Sequence, residues 1–332
     1  MKTGKLDASA LIHQVFPYTG IERPEVVLRS KIGEDSAAVE LGEWNCVFSS
    51  DPITGAIANN GWLAVHVSCN DIVSNGAEPI GVLLTLLMSE NSTEQDVSMI
   101  MESAHKAAKE LKIEIIGGHT EFTLGLKQNI ICATAIGKVK KGALITTSGA
   151  KPGDDLILTK GAGIEGTSIL AADYREFLSQ KISEAILEEA ENLINCISVV
   201  PEGRIAAALK VHAMHDVTEG GVLGAVYELA EASQVGVEIK AEEISILPAT
   251  KAICAQLQID PLKLISSGSM LIAAQNGPKL LHELKKQGIN ASIIGKTIEE
   301  KSKTLIQENR RVTITKPESD ELWTAKQRML RN

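Results

Sequence analysis

The sequence predicts an α/β (α+β) protein of two domains, and three observations carry that reading. Apolar runs of strand length alternate with longer stretches of helical period in both halves of the chain. At 332 residues the chain exceeds what one hydrophobic core usually supports. A polar Gly/Pro/Ser stretch at 146–154, TTSGAKPGD, breaks the pattern near the middle. The boundary is placed there, giving domains 1–148 and 149–332.

In chain order, residues 1–30 read as a short helix and a connection. Residues 31–41, KIGEDSAAVEL, pass from a glycine turn into a strand, and 45–51, NCVFSSD, form a second strand ending on Asp51. Residues 61–79, GWLAVHVSCNDIVSNGAEP, start after Asn59 and Asn60 and stop at Gly76 and Pro79, which delimits a helix. Leu63, Ala64, Val65, Val67, Ile72 and Val73 make most of it apolar, as in a buried helix. An apolar strand follows at 80–88. Ser92 with Gln95 reads as a capping box, opening a helix with Val97, Ile100, Met101, Ala104, Ala108 and Leu111 at helical spacing. Next come a strand at 113–116, a turn at Gly117 and Gly118, and a strand at 129–139. In the second half strands are expected at 155–160, 235–240, 270–274 and 292–296. Helices are expected through Asn195 and over 202–211, 219–234 and 279–287.

Composition excludes several functions. Aromatic residues are only 3% of the chain, too few for base-stacking platforms. The net charge is −9, with no Lys/Arg cluster, so neither nucleic acid nor an anionic membrane is an expected partner. The longest apolar run, 82–88, is too short to cross a bilayer, and the first 16 residues lack a signal-peptide core. Cys46, Cys69, Cys132, Cys196 and Cys254 are scattered, with no CxxC pair. That excludes a zinc ribbon and fits reduced thiols in a cytoplasmic protein.

The chemistry is sought first in the acids. Asp71, with Asn70, lies inside the apolar helix, where an unpartnered carboxylate costs several kcal/mol. Asp35 follows a glycine turn, Asp51 ends a strand, and Glu121 follows Gly117, Gly118, His119 and Thr120. Two such carboxylates about 5 Å apart repel by roughly 3 kcal/mol at an effective dielectric of 20. A hard divalent cation relieves that repulsion, and Mg²⁺ completes its shell with phosphate oxygens and water. The alternative is that each acid caps a turn. A second stretch, TKGAGIEGT at 159–167, matches GxGxxG through Gly161, Gly163 and Gly166. A helix, not a strand, follows it, so a dinucleotide fold is not expected. It either holds phosphate on backbone N–H groups beside Lys160 or is a tight turn. In the third, MHDVTEGGVL at 214–223, Asp216 is a helix cap or a second-domain acid facing the first cluster. His215 and His119 read as structural histidines when taken singly. No GxSxG, HExxH or P-loop is present.

Five ordered segments resemble one superfamily along nearly the whole chain. They are GEDSAAV at 33–39, Ser50 with Asp51, Asn70 and Asp71 with GAEP at 76–79, GGHT at 117–120, and DVTEGG at 216–221. They look like the motifs of the PurM-like ATP-binding superfamily. It includes aminoimidazole ribonucleotide synthase, selenophosphate synthetase, thiamine-monophosphate kinase and the hydrogenase maturation factor HypE. The resemblance implies PurM-like N- and C-terminal domains and a homodimer that pairs the first-domain sheets. It implies ATP and Mg²⁺ at the cleft, with Asp35, Asp51 and Asp71 holding the metal. Asn70, Gly117, Gly118, Thr120, Lys160, Gly161, Gly163 and Asp216 are expected around the nucleotide, and Asp71, His119 and Glu121 in catalysis. The segments GEDSAAVE, SSDPITG and GGHTEF look closest to HypE, which dehydrates a carbamoylated C-terminal cysteine. This chain departs from that pattern. It ends MLRN instead of on a cysteine, has Glu121 where HypE has lysine, and has Ser267 before Gly268 where HypE has glutamate. The expectation is a HypE-like enzyme that activates an oxygen or thiocarboxamide-type group by phosphorylation and dehydration on a separate small-molecule or protein-borne substrate, with other maturation factors as partners. A non-enzymatic nucleotide-binding scaffold and a small-molecule kinase or cyclo-ligase remain alternatives.

Overall fold

The computed structural model describes Gly4, Leu6 and residues 8–329. After α1 (Ala8–Gln14), the first half contains β1 (Val26–Leu28), β2 (Ala37–Leu41), β3 (Trp44–Ile53), α2 (Asn60–Ser74), β4 (Glu78–Ser89), α3 (Glu94–Leu111), β5 (Glu114–Thr123) and β6 (Ile130–Lys140). The second half opens with β7 (Asp155–Thr159), α4 (Ile164–Asp173), α5 (Arg175–Ser179), α6 (Glu184–Asn192), α7 (Val200–Ala208) and β8 (Ala213–Asp216). It continues with α8 (Gly221–Ser233), β9 (Gly236–Lys240), α9 (Pro248–Leu257), β10 (Met270–Ala274) and α10 (Gly277–Lys286). It closes with β11 (Ala291–Ile298), β12 (Lys303–Gln307), β13 (Arg310–Thr313) and α11 (Glu321–Met329). The strands form two mixed sheets, ordered β1-β2-β3-β6-β4-β5 and β13-β12-β9-β11-β7-β10-β8.

The buried helix is the hinge of the architecture. Every residue of α2 except Trp62 is buried, as its apolar sequence requires. It lies on β3 and β6 of the first sheet and also meets α7 and β8 of the second half. Helix α7 comes so close that a Cβ on Gly203 would sit 2.6 Å from Val73 Cγ2. The other face of the first sheet alternates accordingly: Asn45, Val47, Ser49 and Ile53 of β3 turn inward to α2, while Trp44 and Ser50 are exposed. No described helix is long and apolar enough to cross a membrane.

Two local expectations are corrected. The capping box of α3 is built by Thr93 and Asp96, not Ser92 and Gln95. The Ser92 hydroxyl is engaged elsewhere, donating to Asn129 Oδ1 at 2.6 Å. Gly117 and Gly118 form no turn: β5 runs straight through them, parallel to β4. Their φ values of 153° and 148° belong to an extended strand at the edge of the region glycine favours. The stronger reason for glycine is proximity, since a Cβ on Gly118 would lie 1.8 Å from the Leu84 carbonyl oxygen. A bulge at Val82/Leu83 produces this approach.

Gly118→Ala must therefore push β5 off β4, and we expect a loss of about 2–4 kcal/mol in urea unfolding. Gly125→Ala, where nothing lies within 4 Å, should cost about 1 kcal/mol, the left-handed backbone alone. Equal losses at the two sites would contradict the close-approach reading.

Candidate active site

Four aspartates from four places in the sequence meet where α2 crosses between the sheets. Asp71 lies in the last turns of α2, Asp51 on the inward side of β3, Asp35 just before β2, and Asp216 at the end of β8. Asp71 is 97% buried and Asp216 wholly so. Ser49 Oγ contacts both Asp71 Oδ2 and, at 3.0 Å, Asp51 Oδ2. A hydroxyl has one proton and cannot donate to two carboxylates at once. A proton on Asp71, which burial favours, accounts for the second contact. Burial, and then the charges of Asp216 and Asp51, hold Asp71 well above the usual carboxylate range. Burial and Asp35 push Asp216 up to about 6. Its Oδ1 receives the Ser74 hydroxyl at 3.3 Å, while its buried Oδ2 has no hydrogen-bond partner.

One cation of the chain's own offsets this charge. The buried His215 ring lies 3.1 Å from Asp35 Oδ2 through Nδ1 and 3.1 Å from Glu228 Oε2 through Nε2. Both nitrogens face carboxylates, so both carry protons. The two acids raise its pKa well above the ordinary histidine value against the opposing effect of burial. Ligand atoms of Asp35, His215 and Asp216 all lie within 4.8 Å of one another. Asp35 and Glu228 also line a cleft of about 1060 Å³, closed by Phe16 after α1, Tyr227 of α8 and the segment 316–320. A nucleotide fits such a volume. With His215 doubly protonated, it is the carboxylates that suit a hard divalent cation, which would replace the protons now separating the aspartates and satisfy Asp216 Oδ2.

A second pair of buried acids lies in the second half. Burial raises Glu165, at the start of α4, to about 7, against hydrogen bonding from Ser267. Its Oε2 accepts the Ser267 amide at 3.3 Å. Burial likewise raises Asp320 to about 7, although Gly220 and Leu322 donate their amides to it at 2.7 Å each. Asp320 thus ties the N-terminus of α8 to that of α11.

The remaining sequence-selected residues lie elsewhere. Gly118 stands in one row with Leu84, Ala133 and Asp51 across the sheet. Three strand spacings, roughly 14 Å, separate it from Asp51. His119, Thr120 and Glu121 continue along that edge strand. His119 Nε2 pairs with Glu121 Oε2 at 3.1 Å, and both side chains are exposed. Within the chain none of them joins the aspartates. Asn70 points to the second half, donating to the Ile197 carbonyl at 2.8 Å and accepting the Val199 amide at 2.9 Å. The glycine loop is a packed turn. The amides of Ala162, Ile164 and Gly166 bond to Ser245, Ser266 and Ile265. The Gly161 carbonyl accepts from Ser269, and the Lys160 ammonium is bound to carbonyls. Phosphate would find these groups engaged. His215 was read from the sequence as structural, and Glu228 and Glu165 escaped it, since their partners are brought up by tertiary folding.

The comparisons with known proteins bear on this arrangement. The AIR synthase related N-terminal domain matches residues 33–139 and the corresponding C-terminal domain matches residues 151–308. The chain belongs to the AIR synthase related family. Among curated family members, a putative hydrogenase expression/formation protein of Methanocaldococcus jannaschii is 29% identical over 293 residues, covering 82% of each chain. The carbamoyl dehydratase HypE of Cupriavidus necator is 29% identical over 246 residues, covering 72% of this chain and 68% of its own. The fold is shared with HypE in a HypE–HypF complex, at a TM-score of 0.76 and 23% identity over 93% of this chain and all of that one. It is also shared with HypE in complex with ATP, at a TM-score of 0.70 and 20% identity over 97% and 98% of the two chains.

The aspartate cluster is arranged at the expense of stability. A carboxyl with a raised pKa stabilises the fold below its unfolded value and loses that contribution as pH rises through the folded value. Asp71→Asn should therefore raise the metal-free Tm by about 2–4 °C at pH 8. The gain should shrink as pH falls and vanish below the unfolded value of 3.8, where Asp71 holds its proton in both states. Calorimetric melting without divalent cation checks this, and a lower Tm for the variant at pH 8 would contradict it.

Proposed function

We propose that this chain is an ATP- and Mg²⁺-dependent HypE-like enzyme that works in hydrogenase maturation by phosphorylating and dehydrating a carbamoyl- or thiocarboxamide-type group. The observation that carries the reading is the meeting of Asp35, Asp51, Asp71 and Asp216, of which Asp35 also lines a nucleotide-sized cleft. The family assignment and the relatives named for hydrogenase formation support it. Among the described residues no cysteine lines that cleft, which favours a substrate carried in by another molecule.

In this reading the four aspartates hold the metal, and Mg²⁺-ATP supplies an electrophilic phosphoryl group with part of its charge neutralised. The chain's own residues do the rest. His215 fixes Asp35 and Glu228 at 3.1 Å each, so the acids keep their places before ligand arrives. The hydroxyls of Ser49 and Ser74 orient Asp71 and Asp216. A maturation factor that delivers the substrate is the proposed partner.

The open face of the first sheet supports a homodimer. It carries Trp44, Ile80 and Leu83 at 38–45% exposure, a concentration of apolar side chains that a second sheet would cover. Leu83→Asp should convert a dimer to monomer in sedimentation velocity. A monomeric wild type would remove the homodimer from the account.

Turnover is tested with ATP, Mg²⁺ and an S-carbamoylated cysteine peptide. We expect release of ADP and of inorganic phosphate that carries away the carbamoyl oxygen, and a fall of at least about 100-fold in Asp216→Asn. ATP binding without turnover of carbamoyl or related thiocarboxamide substrates would overturn the enzymatic reading in favour of a nucleotide-binding scaffold.

A further inference from the structure

Outside the aspartate cluster, Lys160 is a charged group with every donor engaged. Its Nζ donates to three backbone carbonyls, those of Cys196 at 3.0 Å, Ser198 at 2.6 Å and Gly268 at 3.0 Å. Those bonds use all three ammonium protons. A fourth oxygen, Glu202 Oε1, lies 2.7 Å from the same nitrogen. With no proton left over, that contact is charge against charge. This is why neither Glu202 oxygen has an aligned hydrogen-bond donor although the residue is fully buried. Three carbonyls and one carboxylate around a point charge resemble the oxygen shell of a monovalent cation, here filled by a cation on a tether.

A buried ion pair of this kind adds little net stability compared with apolar residues of the same volume. What it fixes is geometry. The segment 196–199 that supplies two of the carbonyls is also held by the Asn70 amide, at Ile197 and Val199. Trp62 Nε1 holds the Ile194 carbonyl just upstream at 3.0 Å. Asn70 and Trp62 both belong to α2, and Asn70 immediately precedes Asp71. The cage, the segment and the buried helix form one continuous connection between the second half and Asp71. Lys160 also adopts a left-handed backbone, φ 57°, which is uncommon for a residue with a side chain. The neighbouring buried His66 senses the positive charge: burial and Lys160 together lower its pKa to about 4.

We infer that Lys160 is the tethered occupant of a monovalent-cation cage, and that filling this cage positions α2, and with it Asp71, against the second half of the chain. Lys160 is a positioning residue, not a phosphate ligand. The part concerning Asp71 rests on the nucleotide reading above; the cage itself does not.

The test is chemical rescue. Lys160→Ala removes three methylenes and the ammonium, which together have the shape of n-propylammonium. We expect the variant to melt about 5 °C or more below wild type in tetramethylammonium chloride. At the same ionic strength, n-propylammonium chloride should recover at least about half of that shift and leave wild type unmoved. Tetramethylammonium has the charge but no N–H to give to the carbonyls. A variant that melts like wild type, or that both salts raise equally, overturns the cage. In parallel, Mg²⁺-ATP affinity should fall about tenfold in the variant and return with propylammonium. Recovery of melting without recovery of affinity would refute the positioning of Asp71 while leaving the cage. A wild type that binds no ATP at all would sink the nucleotide reading, with the melting result still deciding the cage. Should Lys160→Ala fail to fold, Lys160→Met replaces it. Adding Glu202→Gln to Lys160→Met should then raise Tm, because the stranded buried charge is gone, and no gain would overturn the proposal.

Discussion

The structure depends on concentrating like charge at the junction of two sheets. Asp71 is carried into the core by a helix whose other residues are almost all buried, and three more aspartates are brought to meet it. In water such a cluster would disperse. Here it is held by shared protons, by the hydroxyls of Ser49 and Ser74, and by a single buried imidazolium. The arrangement has the character of a site kept ready for a cation: electrostatically costly alone, and relieved by the charge it binds.

The rest of the architecture serves that junction. The first sheet covers α2 on one side, and α7 and β8 meet it on the other. Segment 196–199 is then tied twice, to Asn70 of α2 and to Lys160 of the glycine loop. Two halves of separate sequence are thereby held in register by polar contacts, while the apolar packing supplies most of the stability. Polar groups give direction where hydrophobic contact gives none.

Much of this was legible in the sequence because it rests on local pattern. The buried α2 followed from its apolar run, and Asp71 stood out as a charge in the wrong solvent. What failed did so for physical reasons. Ser92 with Gln95 and Thr93 with Asp96 are adjacent and chemically similar, and only the competing Asn129 decides between them. The paired Gly117 and Gly118 suggested a turn, yet they answer the approach of the Leu84 carbonyl, a contact with no local signature. The hairpin of β12 and β13 turns on Glu308 and Asn309, both at positive φ, without the glycine that usually marks such a turn. His215 was invisible as a site residue because Asp35 is 180 positions away. Lys160 carried the right charge beside the right kind of loop, but its partners are backbone carbonyls, which leave no trace in composition.

The most direct measurement is a calorimetric titration of the wild-type chain with ATP, with and without Mg²⁺. The account requires binding that depends on the metal and disappears when Asp71 is neutralised in a protein that still melts cooperatively. A well-folded wild type that binds no ATP with Mg²⁺ present, or binds it equally well without, would show that the aspartates serve the fold and not a nucleotide.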